Sequence, residues 1–234
     1  MIEDLLKNGA SSLGMDLSGE EIDKFKAYLS EILFWNAKMN LTAIKKEDDI
    51  VVKHFLDSLL PLKVFPITSQ SIVDIGAGAG LPGIPIKIVR SAVHLTLLES
   101  VGKKVDFLKH VIDKLFLSHT VAIWGRAEDV AGDLREKFDI AISRAVAPLN
   151  VLSEYCLPLT KVGGSMIALK SENIEGEIGE AQGAIKILGG KLKGVHKVKL
   201  PTTDIVRSIV IIEKISKTPE KYPRRAGTAK KKPL

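Results

Sequence analysis

Along the first 66 residues the apolar positions recur at helical spacing. Ser18-Gly-Glu-Glu21 has the form of a capping box, and Ile22, Phe25, Leu29, Ile32 and Leu33 follow on one helical face. A second helical pattern runs from about Glu47 to Leu60 and stops at Pro61. The stretch 35–42 between them is polar and rich in turn formers. From Ser71 the period shortens. Apolar runs at Ser71–Ile75, His94–Leu98, His119–Trp124, Phe138–Ser143 and Ser165–Leu169 predict strands, the last following a Gly163-Gly164 turn. Val101–Leu115 is amphipathic through Val105, Leu108, Val111, Ile112 and Leu115, and Asn173–Leu188 also reads as a helix. Strands alternating with helices predict βαβ units and a mostly parallel α/β sheet. Two closing strands around Pro201, the second over Asp204–Glu213, predict an antiparallel hairpin at one sheet edge. From about Lys217 onward the chain, with Pro219, Pro223, Gly227 and Pro233, is expected to be irregular and mobile.

Composition narrows the function classes. At 234 residues and 45% hydrophobic, the chain buries a substantial core. No apolar stretch approaches the roughly 18 residues of a membrane span. The acidic start Met1-Ile-Glu-Asp4 is unlike a secretory signal. The lone Cys156, read as a small buried residue, excludes an internal disulfide and a multi-cysteine metal site. A cytoplasmic protein without metal or membrane attachment is expected, and a monomer is favoured. Charge is unevenly spread. Residues 1–213 hold 26 basic and 27 acidic residues, whereas 214–234 hold eight basic residues against Glu220 alone. A neutral body with a +7 tail points to a polyanionic partner.

The strongest local signal is Asp74-Ile-Gly76-Ala-Gly78-Ala-Gly80-Leu81, placed between a predicted strand and a predicted helix. Glycines there let the backbone turn sharply and approach a ligand. The loop lacks the Gly-Lys-Ser/Thr ending of a phosphate loop, and Leu81 stands where a dinucleotide fingerprint has its third glycine. Asp74 would repel a pyrophosphate but suits a ligand carrying an ammonium or sulfonium group, such as S-adenosylmethionine. Glu99 ends the second strand, where an acid can accept both hydroxyls of a ribose. After the third strand, the backbone near Ala127 and the Glu128 carboxylate can read an adenine edge. Glu128 and Asp129 serve equally well as first-turn helix acids. The loop Ser143–Pro148 carries Arg144 as its sole charge, either a ligand contact or a salt-bridge partner.

These residues, taken in order, resemble the RsmG (GidB) family, the bacterial 16S ribosomal RNA guanine-N7 methyltransferases. The resemblance runs over nearly the whole chain. It rests on Trp35-Asn-x-x-Met-Asn-Leu-Thr-Ala-Ile44, His54-x-x-Asp57-Ser58-Leu59, the loop from Asp74 to Pro85, Leu97-Leu-Glu-Ser100, Arg126-Ala-Glu128, Ser143-Arg-Ala-Val-Ala147 and Tyr222-Pro-Arg-Arg225. It implies a class I, Rossmann-like S-adenosylmethionine-dependent methyltransferase with a seven-stranded, mostly parallel sheet. The implied organisation is a helical extension at 1–66, a cofactor-binding domain at 67–213 and a basic tail at 214–234. Gly76, Leu81, Ala127, Glu128 and Arg144 match the family's cofactor contacts, and Asp74, Gly78 and Glu99 complete the expected site. The implied partner is 16S ribosomal RNA or the small ribosomal subunit, met by Arg224, Arg225, Lys230, Lys231 and Lys232. Ala226 and Ala229 stand where the family's tail has prolines. His54 and Asp57, three apart on a helix, suit a structural hydrogen bond as well as an RNA contact.

Guanine N7 has a free lone pair and carries no proton, so in-line attack on an activated methyl needs no general base. A loop without carboxylate, histidine or thiol is consistent with that chemistry. An enzyme for a small molecule or protein would leave the basic tail idle. An RNA-binding protein that had lost its activity would have no use for an intact glycine loop and Glu99. The tail is expected to act apart from the cofactor site.

Overall fold

The computed structural model describes residues 2–234. Helix α1 (Ile2–Ser12) is followed by α2 (Gly19–Met39), whose first turn is closed by the predicted capping box. The Glu21 backbone N–H donates to Ser18 Oγ at 3.3 Å, and the Ser18 backbone N–H donates to Glu21 Oε2 at 2.7 Å. The next helical stretch is not uniform. It starts as α3 (Glu47–Ile50), loosens into a π-helical turn at Val51–Leu56, returns to α geometry in α4 (Asp57–Leu59) and tightens into a 3₁₀ turn at Leu60–Lys63. Apolar spacing predicted one regular helix here and could not show the change of pitch, which carries His54 and Asp57.

The seven-stranded sheet has the order β3-β2-β1-β4-β5-β7-β6. The strands β1 (Ser71–Ile75), β2 (His94–Glu99), β3 (Thr120–Trp124), β4 (Phe138–Arg144) and β5 (Thr160–Ser171) run parallel, as expected of the class I methyltransferase sheet. Between them lie α5 (Gly83–Val89), α6 (Gly102–Lys114), α7 (Ala127–Leu134) and α8 (Leu149–Cys156). After α9 (Glu175–Ile187), β6 (Gly190–Lys199) and β7 (Val206–Lys214) form the antiparallel edge hairpin, with β7 inserted beside β5. One strand is longer than its apolar run. β5 starts at Thr160 because the Gly163-Gly164 pair is absorbed as an irregularity against Phe138–Ile140, with Gly163 at φ +88°.

Both sheet faces are covered, and side-chain alternation divides the core between them. Ile72, Ile140, Ile142, Ile167, Leu169, Ile209 and Ile211 face α1, α2, the 47–63 segment, α5 and α6. Val73, Ile75, Ala141, Met166, Ala168, Val210 and Ile212 face α7, α8 and α9. The N-terminal helices therefore share one core with the sheet. The C-terminal residues are irregular but pinned rather than loose: Tyr222 and Ala229 are buried, and Arg135 donates to the carbonyls of Thr218 and Tyr222. A short helix, α10 (Thr228–Lys231), closes the chain.

Tyr28 joins the helical layer to the glycine loop. It is fully buried, stacks on Phe55 at 5.1 Å between ring centroids, and donates its hydroxyl to the Ala79 carbonyl. Tyr28→Phe keeps the packing and strands that carbonyl, so it should lower stability by about 1 kcal/mol in urea denaturation. An unchanged midpoint would show that the hydroxyl contributes nothing to holding the loop.

Candidate functional site

The loop after β1 turns at Gly76, whose φ is +71°. A Cβ on Gly76 would lie 2.6 Å from the Val146 side chain, so only glycine fits between this loop and the one after β4. The backbone N–H groups of Gly76 and Ala77 both donate to the Leu98 carbonyl, at 2.9 and 3.1 Å. The loop is thereby stitched to the end of β2. Glu99 continues that stitch: Oε2 accepts the Gly78 N–H and Oε1 the Val101 N–H, each at 2.9 Å.

A cavity of about 330 Å³ opens at the C-terminal ends of the parallel strands, where open α/β sheets bind their ligands. Ile75, Gly76 and Leu98 line it from one side, Ala127, Glu128 and Tyr155 from another, and Val146 and Ala147 from the loop after β4. Gly76, Ala127 and Glu128 are thus brought together as the sequence suggested, with Gly78 and Glu99 directly behind the loop. Tyr155, from α8, was missed by the motifs because it belongs to none of them. Gly227 and Lys230 also line this cavity. The tail, expected to act apart from the predicted cofactor residues, thus borders the same cavity as Gly76, Ala127 and Glu128.

Three expected cofactor residues lie elsewhere. Asp74 is on the face of β1 opposite Ile75, fully buried and outside the cavity wall. Its Oδ2 accepts the Gly83 N–H at 2.8 Å, bracing the turn into α5, while Oδ1 has no hydrogen-bond partner. Burial raises its pKa to about 7, against the opposing pull of the Gly83 N–H and the Arg144 charge. It braces the turn into α5 and does not line the cavity. Leu81 packs into the core of the helical layer. Arg144 extends the Ile140–Ile142 face of β4 and points away from the first cavity.

Arg144 instead lines a second cavity of about 360 Å³, together with Lys53, His54, Asp57, Lys170 and Arg207. It donates to Asp57 Oδ2 at 2.6 Å, to the Lys53 carbonyl at 3.0 Å and to His54 Nδ1 at 3.2 Å. The other oxygen of Asp57 accepts from Arg207 Nε at 2.8 Å. His54 Nδ1 also lies 3.0 Å from the Lys53 carbonyl, and its Nε2 shares a hydrogen bond with Thr42 Oγ1 at 2.8 Å. Burial, aided by the Arg144 charge, lowers the His54 pKa to about 4, so the ring is neutral. His54 and Asp57 thus share Arg144 as a partner. Arg207 was missed in the sequence, although its place two residues before Ile209 puts it on the same sheet face as Arg144. Positive φ at Ala145 (57°) turns the chain between the two cavities.

The expected RNA residues divide in two. Arg225, Lys230, Lys231 and Lys232 are exposed. Arg224 is not free: its Nε and a terminal nitrogen donate to Glu154, at 2.9 and 2.6 Å, as does its backbone N–H at 2.7 Å. Arg224 is corrected to a tail anchor. Cys156 is fully buried, and desolvation pushes its thiol pKa up. Among the described residues no group of three or more His, Cys, Asp or Glu could hold a metal, and no helix is long and apolar enough to cross a membrane.

Residues 21–206 match the family model described as rRNA small subunit methyltransferase G. The ribosomal RNA small subunit methyltransferase G of Clostridium perfringens (strain SM101 / Type A) is 46% identical over 234 residues, covering 99% of this chain and 98% of the relative. That of Pelotomaculum thermopropionicum is 47% identical over 237 residues, covering 100% and 99%. Among solved structures, M. jannaschii TYW2 in complex with AdoMet has a TM-score of 0.54 at 20% identity, covering 64% of this chain and 72% of that one. Precorrin-6y C5,15-methyltransferase from Geobacter metallireducens has a TM-score of 0.52 at 15% identity, covering 67% and 87%. These two likenesses are of fold.

The Asp74 brace has a pH signature. Its folded pKa of about 7 lies above the ordinary 3.8, so its contribution to stability is full below about pH 4 and is lost as pH rises through 7. Relative to Asp74→Asn, the protein should lose roughly 2 kcal/mol between pH 5 and 7. His54, held at about 4, works in the opposite sense but is common to both proteins. Denaturation curves at several pH values test this; parallel stability profiles would place Asp74 as an ordinary ionised carboxylate.

Proposed function

The chain belongs to the rRNA small subunit methyltransferase G family, and from that premise we propose that it methylates N7 of a guanine in 16S ribosomal RNA, with S-adenosylmethionine as donor. When bound, that cofactor supplies a methyl group activated by a sulfonium. The first cavity suits its nucleoside part. Ile75 and Leu98 offer an apolar floor, Tyr155 an aromatic face and Glu128 an acceptor for an amino group. Glu99 has each oxygen bound to a single strong backbone donor, which leaves lone pairs for ribose hydroxyls.

One observation carries the choice of N7: the loop Ser143–Pro148 itself bears no carboxylate, histidine or thiol, and the acid and histidine that face it in the second cavity are already engaged. Ser143 is buried and donates to the Ile75 carbonyl. Both oxygens of Asp57 are occupied by arginines, and His54 has a pKa of about 4. A methyl acceptor that must lose a proton, such as an exocyclic amine or a hydroxyl, finds no base here. Guanine N7 requires none. The residues then have only to orient the base and exclude water, and the basic lining of the second cavity attracts the RNA backbone at its edge.

Single-turnover rates should vary little between pH 7.5 and 9, above the titration of Asp74. The product should be cleaved at one guanine by reduction and aniline, as a cationic 7-methylguanine is. Glu99→Ala should weaken S-adenosylmethionine binding by about tenfold or more in calorimetry. Methyl groups recovered on an amine, on C5 or on a ribose would overturn the reading.

A further inference from the structure

The C-terminal segment carries exposed cations and at the same time walls the first cavity. Gly227 and Lys230 line that cavity, and the Gly227 N–H donates to Glu128 Oε1 at 3.1 Å. The carboxylate proposed to meet the cofactor is therefore held in place by the tail. What holds the tail is a buried ion pair. Glu154 has no exposed surface, and it receives the Arg224 guanidinium at 2.6 to 3.2 Å and the Arg224 N–H at 2.7 Å. Tyr222 and Ala229 bury the residues on either side. Helix α10 has four residues, too few to be stable alone, so its position over the cavity depends on those anchors.

We propose that residues 217–234 form a latched wall through which RNA and cofactor tighten each other's binding, an inference that rests on the methyltransferase reading and on the tail as an RNA contact. Both ligands meet the same segment in its docked position. The cofactor does so from inside the cavity, beside Gly227 and Lys230. The RNA does so from outside, through Arg225, Lys231 and Lys232, whose charges release counterions on phosphate. Each ligand ordering the segment lowers the ordering cost left for the other, and the resulting coupling is reciprocal. The cofactor cavity thus closes best when substrate is present.

The test measures S-adenosylhomocysteine binding by calorimetry, with and without a saturating 16S rRNA transcript, and in parallel with small ribosomal subunits. In the full chain at least one of these RNA partners should tighten binding about twofold or more. Glu154→Gln, which weakens the Arg224 latch, leaves the segment undocked more often in the free protein, so it should lower S-adenosylhomocysteine affinity without RNA and enlarge that gain. Gly227→Val tests the same wall without touching the buried pair: φ is +81° there, and an added Cβ meets no atom within 4 Å, so the change strains the local backbone in open space. It too should enlarge the gain. Equal affinity in the full chain with and without either RNA partner would overturn the coupling. So would a gain that is no larger in both variants than in the full chain. Absence of any S-adenosylhomocysteine binding would instead overturn the methyltransferase reading itself.

Discussion

Asp57 is about 1% exposed, and burying a carboxylate that deeply is costly unless it is paired. It is paired twice, to Arg144 at the end of β4 and to Arg207 near the start of β7. These partners lie on two strands separated by β5, so the acid can be neutralised only when the 47–63 segment is seated across the sheet ends. The π-helical turn before Asp57 shifts its side chain relative to a regular helix, and the same seating brings His54 Nδ1 within 3.2 Å of Arg144. The position of the helical layer, the orientation of the loop after β4 and the shape of the second cavity all follow from that arrangement.

Two other acids show how context decides the chemistry of like groups. Asp74 and Glu99 both sit at strand ends beside the glycine loop, and both are nearly inaccessible to solvent. Glu99 receives a backbone N–H on each oxygen, which makes it a fixed part of the loop. Asp74 receives one N–H and leaves Oδ1 unpartnered, so desolvation prevails and its pKa rises. Read as letters, the two are interchangeable as ligand acids. Strand alternation separates them: Asp74 must share the face of Ile72, toward the helices, whereas Ile75 turns to the cavity.

The parts of the molecule that were legible in the sequence are those set by local periodicity. Five parallel strands, an edge hairpin and the capping box at Ser18 follow from apolar spacing and turn chemistry, and the glycine loop from its place between a strand and a helix. The pitch change at Val51–Leu56 leaves no trace in apolar spacing, because four of its six residues are apolar and any helical pitch finds an apolar face there. Arg144, expected beside Gly76 and Glu128, is placed by its strand phase on the opposite face of β4, where it lines the second cavity. Arg207 could have been found by the same phase argument, as a charged residue at the head of an otherwise apolar strand.

Neighbouring residues in the tail make the limit of such reading concrete. Arg224 and Arg225 are identical side chains in one motif, yet one is fastened to Glu154, 70 residues earlier in the chain, and the other faces solvent. No local pattern distinguishes them, because the distinction comes from a buried acid on α8 that must find a cation. Once Arg224 supplies it, the following residues are directed over the cavity: the left-handed Gly227 turns the chain back, and Ala229 fills a buried site at the position expected to hold proline. A tail that would otherwise be a loose string of positive charge is thereby given one neutralised root and one exposed cationic tip. The root supplies the anchor that makes Gly227 and Lys230 part of the cavity wall. The basic segment is thus distinguished from a free polyanion-binding arm by the electrostatics of one buried carboxylate.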